Sequence, residues 1–195
     1  TMADALPNDP WRKYYAIPGW LKTLIDQGAL GQKTKRGVYQ KVGKDIQVLD
    51  GASGSYRLSA GAADERIAEI LKNKNPVEKF TQLHDSDHPQ AQFLWAIFRD
   101  TFHYCAVHLG DIANNSRDLD LAIRWGFGWN QGPFETWQGA GWCRVAQWIA
   151  DDIKAGKSMA LTQLPTWVTD AQRSGVHGPQ GSYSPSTGTS VARSQ

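Results

Sequence analysis

The second half of this 195-residue chain takes its fold from residues 118–135, which read DLDLAIRWGFGWNQGPFE. Asp118 and Asp120 lie where a helix begins, a position at which the helix dipole favours acidic side chains. Gly126 and Gly128 end that helical run, and Pro133 fits the first turn of another helix. We therefore predict two helices joined by a tight corner, at which a glycine has positive φ or a close backbone neighbour.

Further helices are predicted on both sides of this corner. The strongest spans residues 90–109, where apolar side chains recur at spacings of three and four and Gly110 follows as a stop. This spacing places Cys105 on the apolar face, so we interpret it as a core residue. Shorter helices are predicted at 18–27, 64–73 and 142–154.

The region from residue 38 to residue 58 has a different pattern. Short runs rich in β-branched and aromatic residues alternate with glycine-containing turns, which indicates a three-stranded antiparallel β-meander. Three strands of this length are not stable alone, so they must lie on a larger body. The predicted fold class is mainly α, with a small antiparallel β-meander.

The composition excludes several classes of protein. The formal net charge of +2 supplies no basic field for nucleic acid, and no run of 18 apolar residues is present to cross a membrane. Two cysteines, Cys105 and Cys143, do not make a disulfide framework and favour a reducing compartment. We expect a cytoplasmic protein that neither binds nucleic acid nor inserts into membranes.

The last 24 residues, 172–195, have a composition of their own. Fourteen of them are Gly, Pro, Ser or Thr, and none is acidic. This composition is typical of linkers, so the sequence predicts a flexible tail in which a substitution at Gly188 changes little.

Two glycine-containing patterns fall short of nucleotide-binding motifs. The run from Gly126 to Gln131 lacks the third glycine of a dinucleotide fingerprint and follows a predicted helix instead of a strand. The run from Gly31 to Thr34 has Gln32 where a P-loop needs a glycine before its lysine. We assign no cofactor-binding residue in this chain.

The histidines and the second cysteine also lack the partners that chemistry needs. His84 and His88 have a spacing that suits a metal on a helix, but Pro89 follows at once, so we expect a solvated loop. His103 is expected to satisfy a local hydrogen bond. Cys143 has no histidine near it in sequence to activate it. We predict no catalytic residue and no metal ligand.

Two stretches carry a resemblance to a known family. Residues 28–39, GALGQKTKRGVY, and residues 118–135 are similar to two segments of the C-terminal domain of 3-hydroxyacyl-CoA dehydrogenases. Val38 stands where the family usually has Phe, and Asn130 where single-domain members usually have Pro. The strand motif comprises Lys33, Thr34, Gly37 and Tyr39. The corner motif comprises Asp118, Asp120, Gly126, Gly128, Gly132, Pro133 and Phe134.

The order of the two motifs implies tandem repeats. In the common family layout the corner precedes the strand motif within one domain, whereas here it follows by about 90 residues. The resemblance implies a helical fold like the C-terminal domain of 6-phosphogluconate dehydrogenase. It further implies the tail of a first C-terminal repeat at 1–50, a connector at 51–89, a second repeat at 90–171 and the flexible tail at 172–195.

The resemblance also implies a function for the parent enzyme. Such an enzyme oxidises a 3-hydroxyacyl-CoA with NAD in fatty-acid β-oxidation. Its NAD would bind a Rossmann domain of the same polypeptide, absent from this chain, and an enoyl-CoA hydratase domain can be fused to it. This chain would then supply packing surface and cleft wall, and alone would neither bind NAD nor turn over substrate.

An alternative rests on the nine tryptophans, seven of which lie between Trp95 and Trp167. A stand-alone binding module could stack exposed indoles on a glycan or a peptide. However, so many exposed indoles would form an apolar patch larger than soluble monomers tolerate. Most of them must face a core or a partner surface.

Overall fold

The computed structural model describes residues 1–59 and 61–192, which divide into two compact units. Unit 1 covers Thr1–Ala62 and unit 2 covers Ala63–Gln195. Both are built from the predicted kinds of element, so the predicted class, mainly α with a small antiparallel meander, is confirmed. The division falls between residues 62 and 63. The repeat boundaries after residues 50 and 89 stay predictions.

Unit 1 combines two short helices with the predicted meander. The antiparallel strands have the order β1-β2-β3, with Tyr39 opposite Val48 and Leu49 opposite Tyr56. The buried apolar residues among those described in this unit are Trp11, Leu24 and Ala29. The elements are α1 (Met2–Ala5), α2 (Gly19–Asp26), β1 (Tyr39–Val42), β2 (Asp45–Leu49) and β3 (Tyr56–Leu58), with 3₁₀ turns at Arg12–Tyr15 and Gln32–Thr34.

Unit 2 contains the longer helices and most of the core. The predicted helices at 64–73, 90–109 and 142–154 are present with nearly the predicted bounds. The helices are α3 (Glu65–Lys72), α4 (Pro76–Asp85), α5 (Pro89–Ile112), α6 (Ser116–Phe127), α7 (Pro133–Gly139) and α8 (Trp142–Lys154), and the strands are β4 (His177–Gly178), β5 (Gly181–Ser184) and β6 (Thr189–Val191).

The core of unit 2 is rich in aromatic rings. Trp137 and Trp142 are almost fully buried and stack with their centroids 4.3 Å apart. Phe102 on α5 stacks on Trp137 at 5.4 Å, which ties the long helix to the α7–α8 pair. The indole N–H of Trp137 donates to the carbonyl oxygen of Trp142, and that of Trp142 donates to the carbonyl oxygen of Val168. Both buried N–H groups therefore have a partner.

The predicted loop before the long helix is present at residues 86–88, but the prediction was wrong for His84. Asn75 caps a helix that the sequence analysis missed, α4, and Pro76 occupies its first position, where the missing N–H costs nothing. His84 lies in the last turn of α4, and its ring stacks on Trp148 at 4.1 Å. His88 is the N-cap of α5 and accepts a hydrogen bond from the backbone N–H of Gln90.

The prediction of a flexible tail from residue 172 was also wrong for the part that the structure describes, which ends at residue 192. Residues 177–191 form a second antiparallel meander, and all four residues of its central strand β5 are buried. The small side chains that resemble a linker in composition allow close packing. A Cβ on Gly181 would lie 1.8 Å from the carbonyl oxygen of Val191, so only glycine fits there.

Candidate functional site

The corner between α6 and α7 is organised around one buried carboxylate. Asp120 is 1% exposed, and its carboxylate oxygens accept hydrogen bonds from the backbone N–H groups of Phe134, at 2.8 Å, and Glu135, at 3.0 Å. These N–H groups belong to the first turn of α7, where no intrahelical acceptor exists for them. A side chain of α6 therefore caps the helix that follows it.

The close approach of α6 to α7 requires a glycine at position 132, whereas Gly126 has no such role. Gly126 lies within α6, with open space around it and without the left-handed φ values found at other glycines. Gly128 ends α6 with φ of 69°, as the predicted corner requires. The close contact is at Gly132, where an added Cβ would lie 2.2 Å from the Cβ of Asp120. Its backbone N–H donates to Glu135 at 2.8 Å.

The other corner residues have supporting positions. Asp118 is exposed and accepts a hydrogen bond from the side chain of Asn115, the residue that caps α6. Pro133 is the first residue of α7. Phe134 is completely buried and packs in the aromatic core of unit 2.

A histidine from the second meander completes the corner. His177 Nε2 lies 2.8 Å from Asp120 Oδ2, and its Nδ1 lies 2.9 Å from Ser182 Oγ. The order Ser–His–Asp is that of a nucleophilic triad. However, Ser182 is 3% exposed and lies directly opposite His177 in the β4–β5 pair, so their bond is a cross-strand contact. The three side chains fasten the meander to the corner, and we assign them no catalytic role.

Two opposing effects determine the protonation of Asp120. Burial raises its pKa above the ordinary value, because a charged carboxylate is poorly solvated there. The hydrogen bonds from His177, Phe134 and Glu135 act in the opposite direction, since they favour the charged form. The carboxylate is thus stable only while these three donors stay in place.

A polar cleft of about 500 Å³ lies beside the corner. Arg117, Arg124 and Glu135 line it together with His177 and Ser182. Arg124 pairs with Glu135 at 3.2 Å, which leaves Arg117 as the cation without an ion-pair partner among the described residues. No group of three or more His, Cys, Asp or Glu side chains in the described parts of the chain has a geometry that could hold a metal ion.

The strand-motif residues lie in unit 1, where they shape a loop. Thr34 Oγ1 accepts from the N–H of Leu30 at 2.9 Å and lies within hydrogen-bond distance of the carbonyl oxygens of Gly31 and Arg36. Gly37 packs so tightly on Gly31 that a Cβ would lie 2.7 Å from the Gly31 Cα. The side chains of Lys33 and Tyr39 are exposed. This motif therefore determines a backbone shape.

Of the other histidine and cysteine side chains considered as candidate site residues, His103 and Cys105 are buried in the core and Cys143 is exposed. His103 is fully buried, with Nε2 2.7 Å from the carbonyl oxygen of Thr162, and burial lowers its pKa. Cys105 is buried as predicted, and burial raises its pKa to about 12. Cys143 is exposed and donates a weak hydrogen bond to the carbonyl oxygen of Arg173.

Sequence reasoning missed the contribution of residues 175–182 to the site. Gln138 on α7 holds this segment, because its Oε1 accepts from the N–H groups of Val176 and His177. Gly175 packs against the same side chain, where a Cβ would have no room. The one available signal was the glycine-bounded pair Pro179-Gln180, which is a turn pattern between two short strands.

The fold and the corner together define a helical module in which the motif residues cap and space helices. No helix in the described residues has the length and apolar character needed to cross a bilayer. Comparison with known proteins identifies relatives of this chain. The chain is 32% identical over 130 residues to the "Probable 3-hydroxyacyl-CoA dehydrogenase" of Bacillus subtilis (strain 168), a match that covers 67% of this chain and 16% of that protein.

Two more distant relatives have similar names. Both are called "Putative fatty acid oxidation complex trifunctional enzyme". The one from Rickettsia felis is 25% identical over 132 residues, and the one from Rickettsia prowazekii is 23% identical over 147 residues. The matches span 16–18% of the relatives' length. No protein-family model matches the chain, and no solved structure is significantly similar to it. The resemblance to 3-hydroxyacyl-CoA dehydrogenases is thus confirmed for a segment of such proteins.

Proposed function

We propose that this chain is the C-terminal helical region of a 3-hydroxyacyl-CoA dehydrogenase of fatty-acid β-oxidation, with a packing and cleft-forming role. The parent enzyme would oxidise a 3-hydroxyacyl-CoA to the 3-ketoacyl-CoA and transfer the hydride to NAD. Unit 1 would be the end of one C-terminal repeat, and the helices from residue 90 onward would be a second repeat. The relatives' names and the two matched motifs support this assignment.

The observation that supports the structural role is that residues of the corner motif are buried at the junction of α6 and α7. Asp120, Gly132 and Phe134 are all buried, and each is used to cap, space or fill the α6–α7 junction. Residues used in this way hold a module in shape. Chemistry on the substrate would then be supplied by the NAD-binding Rossmann domain of the same polypeptide, and an enoyl-CoA hydratase domain would be a further partner in the cytoplasm.

The outer side of the corner offers a docking surface. Trp125, Phe127 and Trp129 follow one another at the end of α6 and are 79%, 74% and 41% exposed. Large exposed aromatic side chains within one short segment are typical of interaction surfaces. In the proposed function this surface, which we call the corner face, contacts a neighbouring domain of the parent polypeptide.

The alternative of a glycan- or peptide-binding module depends on the same face. Trp95, Trp137 and Trp142 are buried in the core of unit 2 and present no ring to a ligand. Trp125 and Trp129 are the indoles of that unit that a stacking module would use. If the alternative holds, their fluorescence will respond to added glycan or peptide in the absence of any other domain.

A chimera tests the proposal. In the Bacillus subtilis relative, the matched segment is either deleted or replaced by this chain, and oxidation of a 3-hydroxyacyl-CoA is followed through NADH absorbance. We expect activity from the chimera, none from the deletion and none from this chain alone. Turnover by this chain alone, or an inactive but folded chimera, would contradict the proposal.

The corner face is tested in the same chimera with matched aromatic variants. The double substitution Trp125→Ala and Phe127→Ala removes two exposed rings and should lower activity without unfolding unit 2. Phe93→Ala is the control, since Phe93 is an aromatic residue of the same unit and is 64% exposed. Equal activity of the corner-face and control variants would remove the docking role from this surface.

A further inference from the structure

The proposed function gives no role to the polar cleft beside the α6–α7 corner. Its wall is formed by α6, α7 and the β4–β5 pair, so the cleft lies within one compact unit. His177 and Ser182 line it, and Ser182 is only 3% exposed, so the cleft reaches buried polar side chains. Its volume of about 500 Å³ lies in the range of small-molecule sites, which is about 300–1,000 Å³. The cleft can therefore enclose one small ligand.

The cleft wall carries more positive than negative charge. Arg117 and Arg124 lie about two helical turns apart on α6, and both border the cleft. Glu135 is the acidic residue of the lining. Its Oε1 accepts from Arg124 at 3.2 Å, and its Oε2 accepts from the backbone N–H of Gly132 at 2.8 Å. Both oxygens of Glu135 are thus engaged, and the cleft wall leaves the charge of Arg117 uncompensated.

The carboxylates of α6 itself do not compensate Arg117 either. The oxygens of Asp120 accept from the first turn of α7 and lie beside His177. Asp118 is exposed, accepts from the Asn115 side chain and lies outside the cleft lining. Arg117 therefore has no ion-pair partner in the part of the chain that the structure describes.

Arg117 also lies where a helix disfavours a cation. It is the second residue of α6, at the end that carries the positive pole of the helix dipole. The stability of α6 alone would favour an acidic or neutral side chain at this position. The Arg117 side chain is half-buried there, so water screens this repulsion only in part. An anion bound at Arg117 would offset the unfavourable interaction.

We propose that the cleft binds a small molecule through an oxyanion group, a carboxylate or a phosphate, which Arg117 and Arg124 hold. A guanidinium group can donate two parallel hydrogen bonds to either kind of group. Glu135 holds Arg124 through Nη1, so the other N–H groups of Arg124 remain for the ligand. His177 and Ser182 would face the rest of the molecule. This inference does not depend on the proposed function, and the site binds its ligand without reacting with it.

Titration with simple anions tests the site in the full chain. Inorganic phosphate or malonate replaces chloride at constant ionic strength, and backbone amide shifts are followed by NMR. We expect saturable shifts confined to the residues around the cleft. Tighter binding of phosphate would identify a phosphate as the recognised group, and tighter binding of malonate a carboxylate. Absence of saturation with both anions, or shifts spread over the whole of unit 2, would overturn the proposal.

Two arginines of unit 2 provide a matched pair of variants. Arg117→Gln removes a charged donor from the cleft and should weaken binding of the anion at least ~10-fold. Arg144→Gln removes the same charge from an exposed arginine of α8, outside the cleft lining, and should leave binding unchanged. Arg117→Lys keeps the charge without the bidentate geometry and should weaken binding less than Arg117→Gln. Equal loss in the two glutamine variants would show a response to net charge and contradict the site.

Thermal unfolding without added anion gives an independent readout. Arg117→Gln should raise the Tm of unit 2 by about 2 °C, because it removes a cation from a helix N-terminus. With saturating anion the order should reverse, because the ligand stabilises only the chain that binds it. A lower Tm of Arg117→Gln in the absence of anion would identify Arg117 as a structural residue and overturn the proposal.

The chimera with the Bacillus subtilis relative separates a small ligand from a protein occupant. If Arg117→Gln lowers the activity of the chimera while the free chain binds no anion, an acidic side chain of another domain occupies the cleft, and the proposal fails. Anion binding by the free chain, with unchanged activity of the Arg117→Gln chimera, supports a small-molecule site. The anion titration needs no parent enzyme, so failure of this proposal and failure of the proposed function can be told apart.

Discussion

The two β-meanders of this chain have the same topology and opposite surroundings. Both are antiparallel and have three strands in sequential order. The first contains Val42, Ile46 and Val48, yet no residue of its strands is fully buried. The second has the central strand Gly-Ser-Tyr-Ser, and all four of its residues are buried. In this protein the burial of a strand is therefore determined by what packs against it, and the hydrophobicity of the strand is a poor guide.

The reason is the pattern of hydrogen bonds and close approaches. The second meander is joined to the α6–α7 pair through His177 and Asp120, and through Gln138. Small residues such as Gly181 allow the strands to lie close. In the first meander, the Tyr56 hydroxyl donates a hydrogen bond to the carbonyl oxygen of Gly37. The strand residues there remain exposed or half-buried. The following predictions test this difference.

The largest effect is expected for an alanine at Gly181. Gly181→Ala should destabilise unit 2 by about 4 kcal/mol, because the added Cβ has no space and φ is 123°. The matched change in the first meander, Gly43→Ala, meets open space and should cost about 1 kcal/mol for its left-handed φ. Denaturant titration with hydrogen exchange of each meander measures both, and similar costs would show that the meanders are equally packed.

Removal of the buried carboxylate should have the next largest effect. Asp120→Ala leaves the N–H groups of Phe134 and Glu135 without their acceptor and should cost about 3 kcal/mol. Asp118→Ala removes an exposed carboxylate from the same helix and should cost about 0.5 kcal/mol or less. Urea unfolding of both variants gives the comparison. If the costs are equal, the corner does not depend on Asp120.

Acidification should distinguish the two units. Burial lowers the pKa of His103, so the unfolded state binds the proton more readily than the folded state. The contribution of neutral His103 to the free energy of unfolding is therefore fully present above pH 6.5, the ordinary pKa of the side chain. As the pH drops below 6.5, the free energy of unfolding falls by up to ~1.4 kcal/mol per pH unit. His103→Gln should flatten this slope. All five histidines lie at position 84 or later, so hydrogen exchange in the first meander should show no such loss.

The smallest changes in stability are expected at Gly126 and Gly188. The sequence suggests that a substitution at Gly126 costs more than one at Gly188, and the structure predicts the opposite. Gly126→Ala should stabilise α6 by roughly 0.5–1 kcal/mol, because this glycine is helical and has open space around it. Gly188→Ala should destabilise the second meander by about 1 kcal/mol, because φ is 68° in its β5–β6 turn. Thermal unfolding decides between them. A neutral Gly188→Ala would support the flexible tail that the composition predicts.

The elements that the sequence revealed are those defined by local periodicity. The spacing of apolar residues placed α8 to the residue, and Asp64 marked the start of α3. The same spacing placed α5 to within three residues, although Gly110, the predicted stop, lies inside this helix, which ends at Ile112. The interpretation of Cys105 as a core residue was equally secure, since its place on the apolar face of a long helix is a local property. Such features need no knowledge of what the element packs against.

The features that the sequence analysis missed depend on distant partners. Gly132 was named in the corner motif, but the approach of Asp120 that makes it essential could not be seen in the sequence. The segment after residue 172 has no apolar alternation, and its order comes from Gln138 and Asp120 in earlier helices. No helix was predicted between 73 and 90, although Pro76 begins α4, since a proline suits both the end and the start of a helix. Tertiary context decided each of these cases.

The bond between Asp120 and His177 has a consequence for the synthesis of the chain on the ribosome. The two residues are 57 positions apart, and Ser184 binds the carbonyl oxygen of Asn114 across 70 positions. The first meander pairs strands within 20 residues of each other, so it can form soon after it emerges. Until residue 177 has been added, the Asp120 carboxylate has only the backbone donors of Phe134 and Glu135 and lacks its histidine partner. During that interval the nascent second unit is the part of the protein that most needs a chaperone.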